Sequence, residues 1–372
     1  MTMSDSSATR RDFLAGHVLR DEIVAVGQAA GDAILGEADE PRREPTSGAT
    51  IRLATAAMAT DFAVILNEAL PDDPRQPLRW ASEALDLVHL LEDQMSVYRP
   101  HTELSQLNRV AASRSVQVEE RLFELLCRAR EIWQETDGCF DPTSGPLIAL
   151  WRQCRKEVRL PTESELAERL TLVGMQHVLF EPDCSIAFDR AGVELNLGSI
   201  GKGYALDRAA EILQEHDLTE WLLQGGHSSV IARGGHNGLP GWPIGLRNPL
   251  LPQRRLGTIL LCDQALATSG TAVQHFRFEG KRYGHIIDPR TGWPTENILS
   301  VTVLAPTAAE ADALSTAFFV GGVELAERYC SNHRSVSALL IPPPTGGQRL
   351  EPVNIGVPEE ILFWNDEAVP RP

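Results

Sequence analysis

Basic charge is scarce in this chain of 372 residues, where 34 Lys and Arg stand against 51 Asp and Glu and the formal net charge is -17. Affinity for nucleic acid comes chiefly from clustered Lys and Arg, so a polyphosphate backbone is excluded as the main partner. A small anion is not excluded, because a backbone nest, a metal ion or one lysine can hold it whatever the global charge. Long apolar runs are missing as well. None approaches the ~18 residues that span a bilayer, and the chain is not expected to be an integral membrane protein. Paired cysteines are a third absence. Cys127, Cys139, Cys154, Cys184, Cys262 and Cys330 are scattered without a C-x-x-C pair, so neither a zinc site nor a disulfide framework is predicted. They read as mostly buried thiols of a reducing compartment. There is no short-period repeat and no clean internal linker.

What is present suits a compact globular fold. A hydrophobic fraction of 43% with 23% charged residues is enough for one large core or two fused lobes. Residues 1–48 read as a peripheral segment with a polar start, the stretch Arg10-Arg11-Asp12-Phe13-Leu14 and a Glu/Pro/Arg run ending near Pro45. Twin arginine followed by Phe-Leu resembles a twin-arginine export signal. Such a signal needs an unbroken apolar region, which His17, Arg20, Asp21 and Glu22 interrupt. The expectation is cytoplasmic residence, with periplasmic export through a degenerate signal as the alternative. From Ile51 onward, strand-like runs such as Phe62 to Leu66 and Val301 to Leu304 alternate with helical stretches such as Trp80 to Leu91, which predicts an α+β fold.

Four segments carry candidate chemistry. Val193 to Asp207 reads as a buried strand, a glycine-rich turn and a helix start, with Lys202 beside backbone N–H groups able to favour an anion. It is not a Walker A loop, since Asn196 stands at the first glycine and Gly203 follows the lysine. A tight turn with a surface lysine fits it equally. Thr307 to Gly322 reads as a helix framed by a Thr307/Glu310 capping box and a glycine stop. Asp312 and Thr316 lie four residues apart and share one face. One carboxylate with neutral oxygens suits Mg²⁺; Asp312 could equally complement the helix dipole. Leu266 to Thr271, with Thr268-Ser269-Gly270, and Gly284 to Pro294, with His285, offer hydroxyls, accessible N–H groups and a general base, or else two ordinary turns. Gly138 to Leu147, with Trp151 one turn later, reads as a fixed loop anchored by Asp141.

Taken together and in order, these segments resemble the ApbE family of FAD:protein FMN transferases. The resemblance spans roughly residues 51–365 and also takes in Met58-Ala59-Thr60, Tyr98, Glu103 to Asn108, Gly225-Gly226 and Trp242 to Pro249. It implies a single catalytic unit over 49–365, built of two intimately packed α/β lobes with the flavin site between them, followed by a 366–372 tail. Asp312, the Thr316 hydroxyl and the Ser199 carbonyl fall on positions similar to the Mg²⁺ ligands. Met58, Ala59, Thr60, Tyr98, Cys139, Phe140, Asp141, Asn196, Lys202 and Ile286 fall on positions lining the FAD site, and Asn108 on an asparagine at the adenine side. His285 sits where a base activates the acceptor hydroxyl. The implied reaction moves FMN from FAD to a Thr or Ser of an acceptor flavoprotein and releases AMP. The chain departs from the pattern at Ala59 for glycine, Asn196 for aspartate and His227 for aspartate, and it has no lipoprotein cysteine near its start. An FAD pyrophosphatase and a non-catalytic FAD-binding protein are the rival readings.

Acceptors of this family carry a motif similar to Asp-x-x-Ser/Thr-Gly-Ala-Thr/Ser. The stretch Glu44-Pro45-Thr46-Ser47-Gly48-Ala49-Thr50 matches it except for glutamate in place of aspartate, which makes Thr50 a candidate acceptor in cis.

Overall fold

A computed structural model describes residues 48–68, 75–270, 275–345 and 349–365. The segment holding Arg10-Arg11, up to residue 47, and the 366–372 tail lie outside the described residues. The described residues open with a hairpin of β1 (Thr50–Ala57) and β2 (Thr60–Asn67). Its two-residue turn, Met58-Ala59, has φ of 51° and 58°. A two-residue hairpin turn of type I′ has positive φ at both positions. That geometry explains why glycine is usual where Ala59 stands.

A helical layer follows, with α1 (Arg75–Met95), α2 (Glu103–Val110), the short β3 (Val116–Gln117), α3 (Glu120–Glu135), α4 (Gly145–Glu157) and α5 (Glu163–Leu170). Next come β4 (Val178–Glu181), β5 (Ser185–Phe188) and α6 (Gly201–Glu215). The strands β6 (Trp221–Gly225), β7 (Ser229–Arg233), β8 (Trp242–Arg247), β9 (Arg255–Leu261) and β10 (Gln264–Gly270) follow in succession. The described residues end with β11 (His275–Phe278), β12 (Lys281–Gly284), β13 (Ser300–Ala305), α7 (Ala308–Asn332), β14 (Ser337–Ile341), β15 (Val353–Ile355) and β16 (Leu362–Trp364).

The large sheet is antiparallel throughout, in the order β1-β2-β6-β7-β10-β13-β14-β15. Side chains alternate faces along a strand. One set, including Phe62, Val64, Leu223, Ile231, Ala267 and Val303, packs with α1, α6 and α7 in the main core. The alternate set, Leu222, Val230, Leu266, Leu339 and Ile341, packs under a second sheet, β16-β9-β8. Both faces are covered, which is why these strands read as apolar runs in the sequence. No helix among the described residues is long and apolar enough to cross a membrane, and all six cysteines are free thiols.

Three local expectations change. The stretch 193–197 is not a regular strand; it makes one bridge, Glu194 with Ser144, and its backbone is held by Asn108 and Pro142 instead. The capping box at α7 is half closed. Thr307 accepts from the Glu310 N–H, but the Glu310 carboxylate turns to Arg128 at 2.9 Å. The glycine stop is a break rather than an end: Gly322, at φ 75°, interrupts a helical run that resumes to Asn332.

Helices α6 and α7 cross with their backbones in contact at Gly203. A Cβ built there would lie 2.0 Å from the carbonyl oxygen of Ala308. No rotamer relieves a clash with main chain, so Gly203→Ala is expected to lower the unfolding free energy by about 3 kcal/mol. Urea denaturation checks this, and an unchanged midpoint would remove the close crossing from the account of the fold.

Candidate functional site

The site is built from the starts of α6 and α7. At α6 the Gly203 N–H donates to Oδ2 of Asp312 at 3.0 Å, and the Lys202 ammonium donates to the same oxygen at 3.0 Å. Ser229, at the start of β7, donates to Oδ1 at 2.7 Å. The anion favoured by the α6 N-terminus is thus a carboxylate of this chain. Asp312 is buried to 5% exposure, which these three donors make tolerable. In return Asp207 of α6 accepts from the N–H groups of Ala308 and Ala309 at 2.7 and 2.8 Å, capping α7. Burial pushes the Asp207 carboxyl up to about 7; the two N–H bonds oppose this and the Asp312 charge adds to it.

Thr316 lies one turn along from Asp312. Its hydroxyl is 3.3 Å from the Asp312 carbonyl and 3.4 Å from Oγ of Ser269. Ser269 also meets Ser315 at 2.9 Å. Thr268-Ser269-Gly270 therefore joins the α7 segment, but as part of β10 and not as a turn: its backbone pairs with Thr302, Val301 and Ser300 of β13. The site depends on its hydroxyls. On the opposite wall, Asn196 Oδ1 accepts from the Gly198 N–H at 2.9 Å and closes the turn that presents Ser199.

A cavity of about 1000 Å³ joins these parts. Met58, Ala59, Thr60, Tyr98, Cys139 and Asp141 line it on one side. Asn196, Ser199, Lys202, Asp312 and Thr316 line it at the helix starts, and His285 and Ile286 at the mouth. Asp141 is held by the Thr143 N–H at 2.8 Å and hydroxyl at 2.5 Å, and burial pushes its carboxyl up to about 6 against those bonds. Tyr98 is 67% exposed and carries the Arg152 guanidinium over its ring. The loop after His285 is a built turn: Asp288 binds the Arg290 N–H and guanidinium, and Trp151 donates to the Gly292 carbonyl at 2.7 Å.

Two expected residues do not line the cavity. Both ends of the Asn108 amide are spent on the backbone of Leu195, at 2.8 Å each, so it positions the extended stretch leading to Asn196. Phe140 is buried in the main core at 1% exposure. Thr50 is also misplaced for its expected role. It pairs with Asn67 at the far end of β1, about 23 Å along the strand from the Met58-Ala59 turn. Ala49 and Gly48 are held there by Asn237 and His236, which fixes Thr50 at the end of the hairpin away from that turn. The residues before it in that motif, up to Ser47, lie outside the described residues.

Sequence reasoning missed Ser229 and the cavity arginines Arg152, Arg155 and Arg247. A signal for Ser229 existed, since Ser228-Ser229 is a polar pair opening the apolar strand Val230-Ile231-Ala232. The arginines had none.

The oxygen donors fit a divalent cation. A carboxylate offers about four acceptor positions. Three are taken by Lys202, Gly203 and Ser229, which leaves one on Oδ1. Among the described residues no group of three or more His, Cys, Asp or Glu could hold a metal, so a site for zinc or a dinuclear pair is not built here. One carboxylate with hydroxyl and carbonyl oxygens is the donor set of Mg²⁺ completed by substrate phosphates.

The ApbE family model matches residues 58–340. The FAD:protein FMN transferase of Klebsiella pneumoniae is 33% identical over 248 residues, 66% of this chain and 76% of that protein. The enzyme of the same name from Vibrio cholerae is 34% identical over 243 residues, 64% and 72% of the two chains. Among solved structures, the ApbE protein of Thermotoga maritima superposes with a TM-score of 0.72 at 29% identity, covering 82% of this chain and 97% of that one. The flavin transferase ApbE of Vibrio cholerae gives 0.71 at 28%, with the same coverage.

The Asp207 carboxyl has a pH signature. Folded, it keeps a proton up to about pH 7 that the unfolded chain loses near pH 4. Its contribution to stability is therefore present at acid pH and lost as pH rises through that window. Wild-type stability is expected to fall more steeply than that of Asp207→Asn between about pH 4.5 and 7.5. Urea unfolding across the range checks this, and parallel curves would contradict the burial-driven shift.

Proposed function

The chain belongs to the ApbE family, and we propose that it moves the FMN half of FAD to a Thr or Ser hydroxyl of another protein with Mg²⁺ bound, its catalytic unit being residues 49–365. The observation that carries the reading is the convergence of Ser199, Lys202, Asp312, Thr316 and His285 on one cavity large enough for a dinucleotide. Curated relatives named FAD:protein FMN transferase support it.

The chain's own groups divide the work. Lys202, freed from part of its pairing to Asp312, brings a positive charge to the diphosphate. Met58, Ala59 and Tyr98 bound the space for the dinucleotide. His285 is exposed and lines the cavity, where an acceptor hydroxyl must arrive, and an imidazole can take its proton. The acceptor oxygen bonds to the FMN phosphorus, the bridging P–O bond breaks, and its electron pair leaves with AMP. Asp312, Thr316 and the Ser199 carbonyl would hold Mg²⁺, which supplies charge neutralisation to the diphosphate oxygens when bound.

Asp312 is buried and triply bonded, so its removal to alanine would strand Lys202; Asp312→Asn keeps the shape, keeps an acceptor oxygen for Lys202 and Gly203, and presents an amide N–H to the Ser229 hydroxyl, while losing the charge. In an assay with FAD, Mg²⁺ and a threonine peptide, this variant is expected to lose transfer by about 100-fold or more and to lose its response to Mg²⁺, with its thermal unfolding still cooperative. His285→Ala is expected to slow transfer by about 100-fold with little change in FAD affinity. Covalent flavin on the peptide, free FMN with AMP, and unaltered bound FAD are the three readouts. Full transfer by Asp312→Asn would remove the metal assignment. Only FMN and AMP with no flavinylated peptide would convert the reading to a hydrolase.

A further inference from the structure

The cavity extends beyond the helix starts. It continues round to the other face of the large sheet, where Leu222, Val230, Leu266, Leu339 and Ile341 form an apolar floor. The opposite wall is β8. Side chains of a strand alternate between faces, so a cavity facing one side of β8 would touch every second residue. Instead Pro243, Ile244, Gly245, Leu246 and Arg247 line it consecutively. The cavity therefore faces the edge of this strand. Among the described residues, β8 is the terminal strand of its sheet, paired only with β9. Proline within it agrees, because a residue without an N–H is confined to edges.

We propose that this edge is the acceptor-docking surface: an extended segment of the acceptor protein adds to β8 as a further strand and so brings its Thr or Ser to the space between His285 and Asp312. The inference rests on the flavin-transfer reading of the same site. An unpaired strand edge is a template for main-chain hydrogen bonding, and strand addition is a recurring way to bind an extended peptide. Two further features select the occupant. Residues of β8 and His285 line one cavity, so a segment lying along β8 shares that space with the reactive groups. The last residue of β8 is Arg247, exposed, with Arg152 and Arg155 also lining the cavity of a chain whose net charge is -17. The fitting partner is an extended segment with apolar side chains at alternate positions, turned to the Leu222/Val230 floor, and an acidic residue to meet Arg247. Recognition through the backbone leaves most of the partner's side chains unspecified.

The test uses the whole protein, FAD, Mg²⁺ and a synthetic acceptor peptide of about twelve residues, with an acidic residue followed by Ser-Gly-Ala-Thr, matching the length of a docked strand plus the reactive residues. Single backbone N-methyl groups are placed at successive positions, and flavin transfer is read by mass while FAD affinity is read by flavin fluorescence. N-methylation is expected to cut transfer tenfold or more at alternate positions and little at those between, with FAD affinity constant. Arg247→Glu is expected to raise the KM for the peptide about tenfold, equivalent to ~1.4 kcal/mol. A peptide with lysine in place of its acidic residue should recover the loss. Tolerance of N-methyl groups everywhere, or a uniform loss without alternation, overturns the docking mode. A fall in FAD affinity in Arg247→Glu assigns the slot to the dinucleotide and overturns it too. Failure of the unmethylated peptide to accept any flavin removes the transfer reading itself, and the docking proposal with it.

Discussion

The arrangement depends on an exchange of carboxylates between two helices. Asp312 of α7 is bound to the first turn of α6 through the Gly203 N–H, and Asp207 of α6 is bound to the first turn of α7 through two N–H groups. Each acid sits at the positive end of the other helix, where a negative charge is favoured. This exchange works only if the backbones touch, which Gly203 allows by having no side chain to place against Ala308. It also sets two negative groups near each other, and part of the upward push on Asp207 comes from Asp312. Lys202 and Ser229 offset this repulsion by sharing the Asp312 charge. A buried carboxylate is thereby held in one geometry by the contact between the two helices.

Part of the site was legible in the sequence where short-range chemistry fixed it, though the exchange of carboxylates was not. The Asp312/Thr316 spacing puts both side chains on one face of a helix whatever surrounds it. The Thr307 cap and the Asp288-Pro-x-Thr-Gly turn are local, and both formed. Failures came where a residue's partner lies far away in the chain. Glu310 left its capping box because Arg128, 182 residues earlier, offered a charged partner. Asn108 was expected at the ligand, but it meets a backbone 87 residues later that lacks a strand neighbour. Thr268-Ser269-Gly270 looked like a turn in isolation, and only β13 made it a strand. Thr50 matched an acceptor motif residue by residue, yet its place is set by Asn67 and Asn237, which the motif does not contain.

The departures from the family pattern take on a physical meaning once placed. Ala59 occupies a left-handed position that glycine adopts without cost, and the hairpin keeps its turn at the expense of about 1 kcal/mol. Asn196 still accepts the Gly198 N–H, as an aspartate would, so the turn survives while a negative charge is lost. His227 is exposed and lines the same cavity, where it replaces a second negative group.

These losses matter because of what remains. The acidic residues lining the cavity are Asp141 and Asp312, while Arg152, Arg155, Lys202 and Arg247 line it with positive charge, so 4 − 2 gives a local balance of +2 in a chain of net charge -17. Burial holds the Asp141 carboxyl up at about 6, close enough to neutrality to weaken its share further. A concave site with low-dielectric walls focuses such a local field, whereas the global charge is spread over the surface and screened beyond about 10 Å at ordinary salt. An anionic dinucleotide approaching this protein is repelled weakly at long range and attracted at short range. An acidic acceptor segment meets the same field at the β8 edge. Carboxylates at 196 and 227 would oppose both ligands, so their replacement strengthens the one region of an acidic protein that must bind anions.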